Sequence, residues 1–258
     1  MAAEVKILVV GETNAGEVVE TNEERTRPTI TLIREGDLNI IVDPGILESQ
    51  QILIDALASE GLVAEDINIV CITHSHIDHY RNVGMFPKAK ILEHYGLWNK
   101  EFVEDWPEHF SPHIRVIRTP GHDYTGITLL VTTEDGVVAI CGDVFWKENY
   151  PKDPKDDIYA SDTEKLAKSR KLILEMADFI IPGHAGMYEV KKGFVQKIKN
   201  NIVAGPNKQK LTLYCKKCKK MIESAKDCCA CRPWLGYECC GCEMDCKFCS
   251  CSHKKFRH

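Results

Sequence analysis

Apolar residues in the first 190 positions form short runs separated by Gly, Pro and Asp. Several runs are continuous and rich in Val and Ile, which is typical of strands buried on both faces of a sheet. A hairpin turn at Glu134-Asp135-Gly136 joins two of them. The predicted strands are residues 4–10, 26–36, 38–42, 67–73, 89–93, 114–118, 126–132, 136–141 and 177–184.

Two further segments, residues 48–61 and 161–176, have the apolar spacing of amphipathic helices. Ser161 is followed three residues later by Glu164, a pattern typical of a helix N-terminus. Strands that are joined both by hairpins and by crossovers, with helices between them, predict an α/β sandwich of two mixed β-sheets.

Charge and cysteine content both change near residue 206. Residues 207–258 contain 12 Lys and Arg against 5 Asp and Glu, and 11 of the 13 cysteines lie between Cys215 and Cys251. The remainder of the chain is acidic, with Cys71 and Cys141 as its cysteines. We therefore predict a catalytic domain at 1–203, a linker at 204–212 and a Cys-rich module at 213–258.

The N-terminal segment MAAEVKILVVGET has neither the basic region nor the long apolar stretch of a signal peptide. No apolar run approaches the length of about 18 residues that a membrane span needs. We expect a cytoplasmic protein, and in a reducing compartment dense cysteine favours metal binding over disulfides.

The stretch CITHSHIDHY, residues 71–80, places three histidines and an aspartate directly after an apolar strand. Alternation along an extended segment puts His74 and His76 on one side. Asp78 and His79 follow where the chain turns, so they can face a second point nearby. An imidazole pair beside a carboxylate–imidazole pair is a ligand set for two adjacent divalent cations.

Three later segments follow the same order of an apolar strand, a glycine and a polar residue. They are RTPGHDYTG with His122, VVAICGDVFW with Asp143 and DFIIPGHAG with His184. In each case the glycine lets the backbone bend sharply and approach a site closely.

The combined pattern of HxHxDH, a later His, an Asp and a final His resembles the metallo-β-lactamase superfamily, including glyoxalase II, over residues 4 to about 195. The resemblance implies an αββα sandwich and two metal sites. His74, His76 and His122 would hold the first metal, Asp78, His79 and His184 the second, and Asp143 would be shared. It also implies that Asp43 orients a ligand histidine.

Within the superfamily, the ordered segments TPGH, GDVF, SRK and PGH most resemble the metallo-β-lactamase domain-containing protein 1 subfamily and its small prokaryotic relatives, with Ser169-Arg170-Lys171 as the matching segment between Asp143 and His184. Tyr80-Arg81-Asn82 departs from the Gly-Gly step that many members have after the last histidine of the motif. This departure changes the loop and spares every ligand position.

A two-metal site predicts hydrolysis in which a metal-bridging hydroxide attacks an ester, lactone, thioester or phosphodiester bond. Asp78 is the candidate catalytic residue that orients or deprotonates the water, and the cofactors would be two zinc ions, or iron or manganese. The substrate would be a small molecule or a nucleic acid. Two alternatives remain: a ribonuclease or nucleic-acid-binding protein whose basic tail engages RNA, and a mononuclear iron persulfide dioxygenase.

The aromatic segment 95–113 has two interpretations, as a wall of the substrate pocket or as packing beneath a loop.

The tail contains four C-x2-C pairs, which would satisfy one or two structural zinc sites, with iron–sulfur ligation as the alternative. The tail could bind nucleic acid or protein, or contribute only to stability or oligomer formation. The paired cysteines are Cys215, Cys218, Cys228, Cys231, Cys239, Cys242, Cys246 and Cys249.

Overall fold

The computed structural model describes residues 2–16, 23–148 and 150–191, together with the backbone of two short strands at 213–215 and 220–222. The chain divides into two compact units, Met1–Gln196 and Lys197–His258. The predicted linker and the eight predicted zinc-binding cysteine side chains lie outside the described residues.

Among the described residues of the first unit, strands outnumber helices, and three of the helices are α-helices. In chain order the strands are β1 (Glu4–Val9), β2 (Glu12–Thr13), β3 (Thr26–Arg27), β4 (Ile30–Glu35), β5 (Leu38–Val42), β6 (Ile69–Cys71), β7 (Lys90–Glu93), β8 (Gly96–Asn99), β9 (Phe102–Glu104), β10 (Ile114–Arg118), β11 (Ile127–Thr133), β12 (Gly136–Ile140), β13 (Phe179–Ile181) and β14 (Tyr188–Glu189). The helices are α1 (Gln51–Ser59), α2 (Ile77–Tyr80) and α3 (Thr163–Met176).

Both large sheets are mixed, as the alternation of hairpins and crossovers predicts. One has the order β1-β4-β5-β6-β7-β8-β9, and the other has the order β10-β11-β12-β13-β14. Strands β5, β6 and β7 pair in parallel, as do β12 and β13, and the other neighbours are antiparallel. In the second unit, Leu213–Cys215 and Lys220–Ile222 form an antiparallel pair.

Alternating side chains within each strand separate the core into layers. On β5, Ile40 and Val42 pack in the central cluster between the sheets, whereas Ile41 packs on the outer face with α1. On β12, Ile140 faces the centre and Ala139 faces α3. The result is the αββα sandwich that the resemblance implies.

Two local predictions differ from the structure. Helix α3 begins after Asp162, whose carboxylate accepts hydrogen bonds from the backbone N–H groups of Glu164 and Lys165. Ser161 is not the cap, because its hydroxyl donates to the carbonyl of Gly121 and its backbone N–H donates to the carbonyl of His122. Tertiary contacts therefore override the local capping pattern.

The aromatic segment 95–113 includes two strands that the pattern did not predict, β8 and β9. Trp106 and Phe110 pack against the central cluster, and neither residue lines the cavity described below. The packing interpretation of these two residues is the one that the structure supports.

One ionisable pair connects the two sheets. Glu35, at the end of β4, accepts hydrogen bonds from the backbone N–H of His113 at 2.9 Å and from its Nδ1 at 2.6 Å, just before β10. Burial raises the pKa of Glu35, but hydrogen bonds, including those from His113, outweigh burial and lower it.

No helix among the described residues is long and apolar enough to cross a membrane.

Candidate metal centre

Polar side chains converge where five strands end. Parallel strands place their carboxyl ends at one edge of a sheet, and ligand sites of open α/β sheets form there. The residues that follow these strands, in chain order, are Asp43 after β5, His74 after β6, His122 after β10, Asp143 after β12 and His184 after β13.

The HxHxDH motif combines an extended segment with the start of a helix. His76 has extended backbone angles, φ −77° and ψ 136°, and the chain then enters helix α2. Asp78 and His79 lie in this first turn and are therefore directed differently from His74 and His76. The structure has the change of direction after His76 that the sequence predicts.

The seven predicted metal ligands form two adjacent groups. One contains His74, His76, His122 and Asp143, and the other contains Asp78, His79 and His184; within each group one ligand atom per residue lies within 4.8 Å of the others. The Asp143 carboxylate lies between the groups: Oδ2 is 3.4 Å from His122 Nε2, Oδ1 is 3.3 Å from His79 Nε2, and Oδ2 is 3.1 Å from His184 Nε2.

Two of the histidines are oriented by Asp43 and Thr73. The carboxylate of Asp43 accepts from His79 Nδ1 at 2.8 Å and from the Thr73 hydroxyl at 2.7 Å. The Thr73 hydroxyl has its single hydrogen in that bond, so it accepts from His74 Nδ1 at 3.1 Å. In both histidines the Nε2 atom is left to face the cluster, and Asp43 lies where the resemblance implies an orienting residue.

Two more histidines are oriented by groups that the sequence did not predict. Asp157 accepts from His122 Nδ1 at 2.9 Å, and the backbone carbonyl of Arg27 accepts from His184 Nδ1 at 2.9 Å. These partners fix the ring orientation and direct Nε2 into the cluster. His76 is turned the other way, with its Nδ1 at 3.1 Å from His122 Nε2.

The donor atoms fit divalent cations. His74 Nε2, His79 Nε2 and Asp143 Oδ1 are buried and make no hydrogen bond of acceptable geometry among the described residues, although His79 Nε2 and Asp143 Oδ1 lie 3.3 Å apart. Leaving buried polar atoms unpaired is costly, and native proteins rarely do so. Imidazole nitrogens and carboxylate oxygens of this kind are zinc ligands, so bound cations would satisfy all three atoms.

Burial and neighbouring charges shift the pKa values of Asp143, His74 and His79 within the cluster. Burial raises the pKa of this carboxyl, but His184 and His79 outweigh burial and hold it well below its usual value. Burial and the nearby His79 lower the pKa of His74 well below its usual value. Burial also opposes the charged form of His79, yet Asp143 and Asp43 raise its pKa well above the usual value.

Two side chains of helix α3 donate hydrogen bonds to the backbone of turns that carry cluster residues. The Ser169 hydroxyl donates to the carbonyl of Pro120 at 2.7 Å, in the turn before His122. Buried Arg170 donates from Nε to the carbonyl of Val144 at 2.7 Å and from a terminal nitrogen to the carbonyl of Pro151 at 2.5 Å. Two residues of the predicted Ser-Arg-Lys segment thus position backbone near the cluster.

A cavity of about 330 Å³ opens over the cluster. The cluster residues His76, Asp78, His122, Asp143 and His184 contribute to its walls. Its remaining lining residues are Thr13, Ala15, Glu24, Thr26, Ser75, Ile77, Tyr80, Trp146 and Tyr159. A substrate in this cavity would therefore contact the predicted metal ligands directly.

Comparison with known proteins agrees with the geometry. The model of the metallo-beta-lactamase superfamily matches residues 25–112. Metallo-beta-lactamase domain-containing protein 1 of Xenopus laevis is 36% identical over 185 residues, which cover 67% of this chain and 78% of that protein.

The chain belongs to the metallo-β-lactamase superfamily. The predicted superfamily and its domain-containing protein 1 subfamily are both confirmed. The chain spans 59% to 66% of the length of the mammalian proteins of that name.

Two other relatives of this metallo-β-lactamase protein extend the comparison. A probable metallo-hydrolase of Methanocaldococcus jannaschii is 34% identical over 160 residues, which cover 59% of this chain and 74% of that protein. A metallo-beta-lactamase family protein of Thermus thermophilus has a similar solved structure, with a TM-score of 0.55 and 16% identity over 77% of this chain and 79% of that chain. This structural similarity confirms the fold.

Proposed function

We propose that the chain is a hydrolase that uses two divalent cations to cleave an ester, lactone, thioester or phosphodiester bond. The observation that carries this proposal is the position of Asp143 between two ligand groups, each with unsatisfied buried atoms. The hydrolase class is consistent with the relative from Methanocaldococcus jannaschii, a probable metallo-hydrolase.

His74, His76 and His122 would hold one cation and Asp78, His79 and His184 the other, with Asp143 contacting both. Bound cations of this kind lower the pKa of a water molecule and polarise the bond to be cleaved. The protein contributes fixed ligand directions, because partners at Nδ1 hold four of the histidine rings before a substrate arrives.

Asp78 is the residue best placed to handle the proton of the attacking water. Its Oδ2 accepts a hydrogen bond from the Thr26 hydroxyl at 3.0 Å and lies 3.7 Å from His184 Nε2. Because Asp78 also lines the cavity, its second oxygen can orient the water or accept its proton. The proton then passes to the leaving group after the scissile bond breaks.

The presence of a second complete group of candidate ligands supports the binding of two cations rather than one. A mononuclear iron dioxygenase, the alternative from the sequence, needs one set of ligands. Asp78, His79 and His184 instead provide a second set. Elemental analysis of the purified full-length protein tests this difference, with zinc, iron and manganese all measured.

A histidine pair provides a matched test of the metal site. We expect His184→Ala to remove about one bound cation per chain, whereas His109→Ala, which changes a histidine outside both groups, should leave the content unchanged. Equal metal content in wild type and His184→Ala would contradict the proposed ligand set.

Asp78→Asn tests the catalytic role. We expect its kcat on the best substrate of an ester, lactone, thioester and phosphodiester panel to fall by about 100-fold or more, since positioned acid–base groups typically contribute that much. Asp66→Asn, which changes an exposed carboxylate of the same domain, is the control. A variant that keeps both cations and full turnover would refute this role of Asp78.

The paired cysteines of the C-terminal segment carry a separate proposal, that they hold one or two structural zinc ions. Cobalt substitution distinguishes these sites from the histidine–aspartate cluster, because thiolate ligands alone give intense sulfur-to-cobalt absorption. Replacing Cys215 and Cys218 by Ser should weaken that band. An unchanged band would exclude this pair as ligands.

A further inference from the structure

The cavity over the cluster is lined by acidic side chains, aromatic side chains and three histidines of the ligand groups. Among the described residues that line it, none is a lysine or an arginine. Two bound divalent cations would carry four positive charges against the two negative charges of Asp78 and Asp143, so the loaded ligand groups themselves would be net positive. Glu24 is the acidic lining residue outside those groups, so its charge would remain after the metals bind.

Glu24 lies at the end of an aromatic wall that begins beside the cluster. The Trp146 ring lies 6.1 Å from the His122 ring, and the Tyr159 ring lies 6.0 Å from Trp146, measured between centroids. The Tyr159 hydroxyl donates to Glu24 Oε2 at 2.6 Å, which fixes the carboxylate beside the aromatic faces.

This arrangement matches the chemistry of cation recognition. Aromatic faces attract ammonium groups, and a neighbouring carboxylate adds a direct charge interaction. The hydrogen bond to Glu24 also raises the pKa of Tyr159 to about 12, so the hydroxyl, a donor at neutral pH, keeps its proton well into the alkaline range. Glu24 therefore stays oriented as an acceptor at the cavity wall.

We infer that this cavity selects substrates whose group beside the scissile bond is cationic or neutral, and that Glu24 is the residue that excludes an anionic group there. The inference rests on the proposed hydrolase function and narrows its substrate class. It disfavours nucleic acids, because the phosphates that flank a scissile phosphodiester would meet the Glu24 carboxylate with no lysine or arginine in the described cavity wall.

The size of the effect follows from the exposed position of Glu24. A unit charge about 4 Å from a carboxylate changes affinity about fivefold in a water-like dielectric, and by more where water is excluded. Changing the substrate group from anionic to cationic doubles this energy, which corresponds to about 25-fold without screening and to about tenfold at physiological ionic strength, with more where water is excluded. The preference should weaken as salt rises, because ions screen exposed charges over about 8 Å at physiological ionic strength.

The experiment uses the zinc-loaded full chain and two sets of three probes. The first set consists of thioacetate esters whose thiol part ends in trimethylammonium, tert-butyl or carboxylate, and kcat/KM is measured for each. The second set consists of hydroxamates with the same three ends, whose dissociation constants are measured by calorimetry. The hydroxamates report charge selection without any turnover.

Wild type should prefer the trimethylammonium probe over the carboxylate probe by about tenfold or more in both sets, with the neutral probe between them. Glu24→Gln should reduce this ratio to within about twofold, because glutamine can still accept from Tyr159 but has no charge. Glu23→Gln, at the adjacent exposed acid that does not line the cavity, should retain the wild-type ratio.

The outcomes separate the inference from the proposed function. Equal or reversed preference in wild type, retention of the ratio in Glu24→Gln, or failure of every hydroxamate to bind would overturn the inference. Hydrolysis of all three esters at similar rates would leave the hydrolase function standing without charge selection. Charge-ordered hydroxamate binding with no hydrolysis of any substrate class would support the selection and contradict the proposed hydrolase function.

Discussion

The carboxylate of Asp143 occupies the space in which a side chain at position Gly183 would lie. A Cβ built on Gly183 would be 1.7 Å from Asp143 Oδ1. The backbone cannot retreat easily, since Gly183 N–H donates to the carbonyl of Phe145 at 2.9 Å and its carbonyl accepts from Thr29 N–H at 2.6 Å. Gly183→Ala should therefore displace Asp143.

The magnitude follows from that overlap. Nonbonded carbon and oxygen atoms need a separation of roughly 3.3 Å, close to the optimum for carbon pairs, so the carboxylate would have to move by about 1.5 Å. A displacement of about 1 Å in a catalytic group can reduce the rate about 100-fold, which corresponds to about 2.7 kcal/mol. We expect at least this loss in kcat/KM, together with weaker metal binding at both groups.

The assay compares Gly183→Ala with Gly186→Ala. A Cβ at Gly186 would meet nothing within 4 Å, so this control adds a methyl group to the same loop without contact. Metal affinity is measured by chelator competition, and kcat/KM is measured on the best substrate of the panel. Folding is measured by circular dichroism and thermal unfolding. If folded Gly183→Ala binds metal and turns over substrate as Gly186→Ala does, the close approach to Asp143 has no functional importance.

Three further predictions concern groups that support the cluster or the sandwich. Asp157→Asn should weaken metal binding about 10- to 100-fold in chelator competition, because it removes the carboxylate that orients His122, a candidate metal ligand, whereas Asp156→Asn at the exposed neighbour should not. Arg170→Met should lower the free energy of unfolding by about 2 to 3 kcal/mol in urea, since two buried carbonyls lose their donors, whereas Lys171→Met, at a side chain that is 70% exposed, should change it little. Glu35 has a lowered pKa in the folded state, so its contribution is present above pH 4.5, the usual value, and is lost as the pH falls through the folded-state pKa. Urea midpoints should therefore fall less steeply below pH 4.5 in Glu35→Gln, and equal slopes would show that its hydrogen bonds do not contribute.

The residues in the two candidate metal groups could be predicted from sequence because each lies in a short local pattern. His74, His76, Asp78 and His79 lie within six consecutive positions, and the later candidates each follow a glycine at the end of an apolar run. Alternation and strand ends then predict that they share one edge of the fold. The layered sandwich followed from the same patterns and from the resemblance.

The local patterns could not predict every contact, because competing tertiary bonds are invisible in a short window. Ser161 has the sequence of a helix cap, yet its hydroxyl bonds to Gly121 in the turn before His122, and Asp162 caps the helix. Strands β8 and β9 were missed for a related reason. Their side chains are largely exposed, so they lack the buried apolar signal that marks the other strands.

The groups that orient the histidines were also hidden, because they are distant in sequence. Asp157 is 35 positions from His122, and the Arg27 carbonyl is 157 positions from His184. A backbone carbonyl has no residue-type signature at all. The identity of each candidate ligand residue can therefore be predicted from a short stretch of sequence. The orientation of its side chain, in contrast, depends on contacts that exist only in the folded sandwich. Because the Nδ1 partners are held by the fold, the Nε2 atoms are directed into the cluster before any cation binds, and metal affinity should depend on the stability of both sheets.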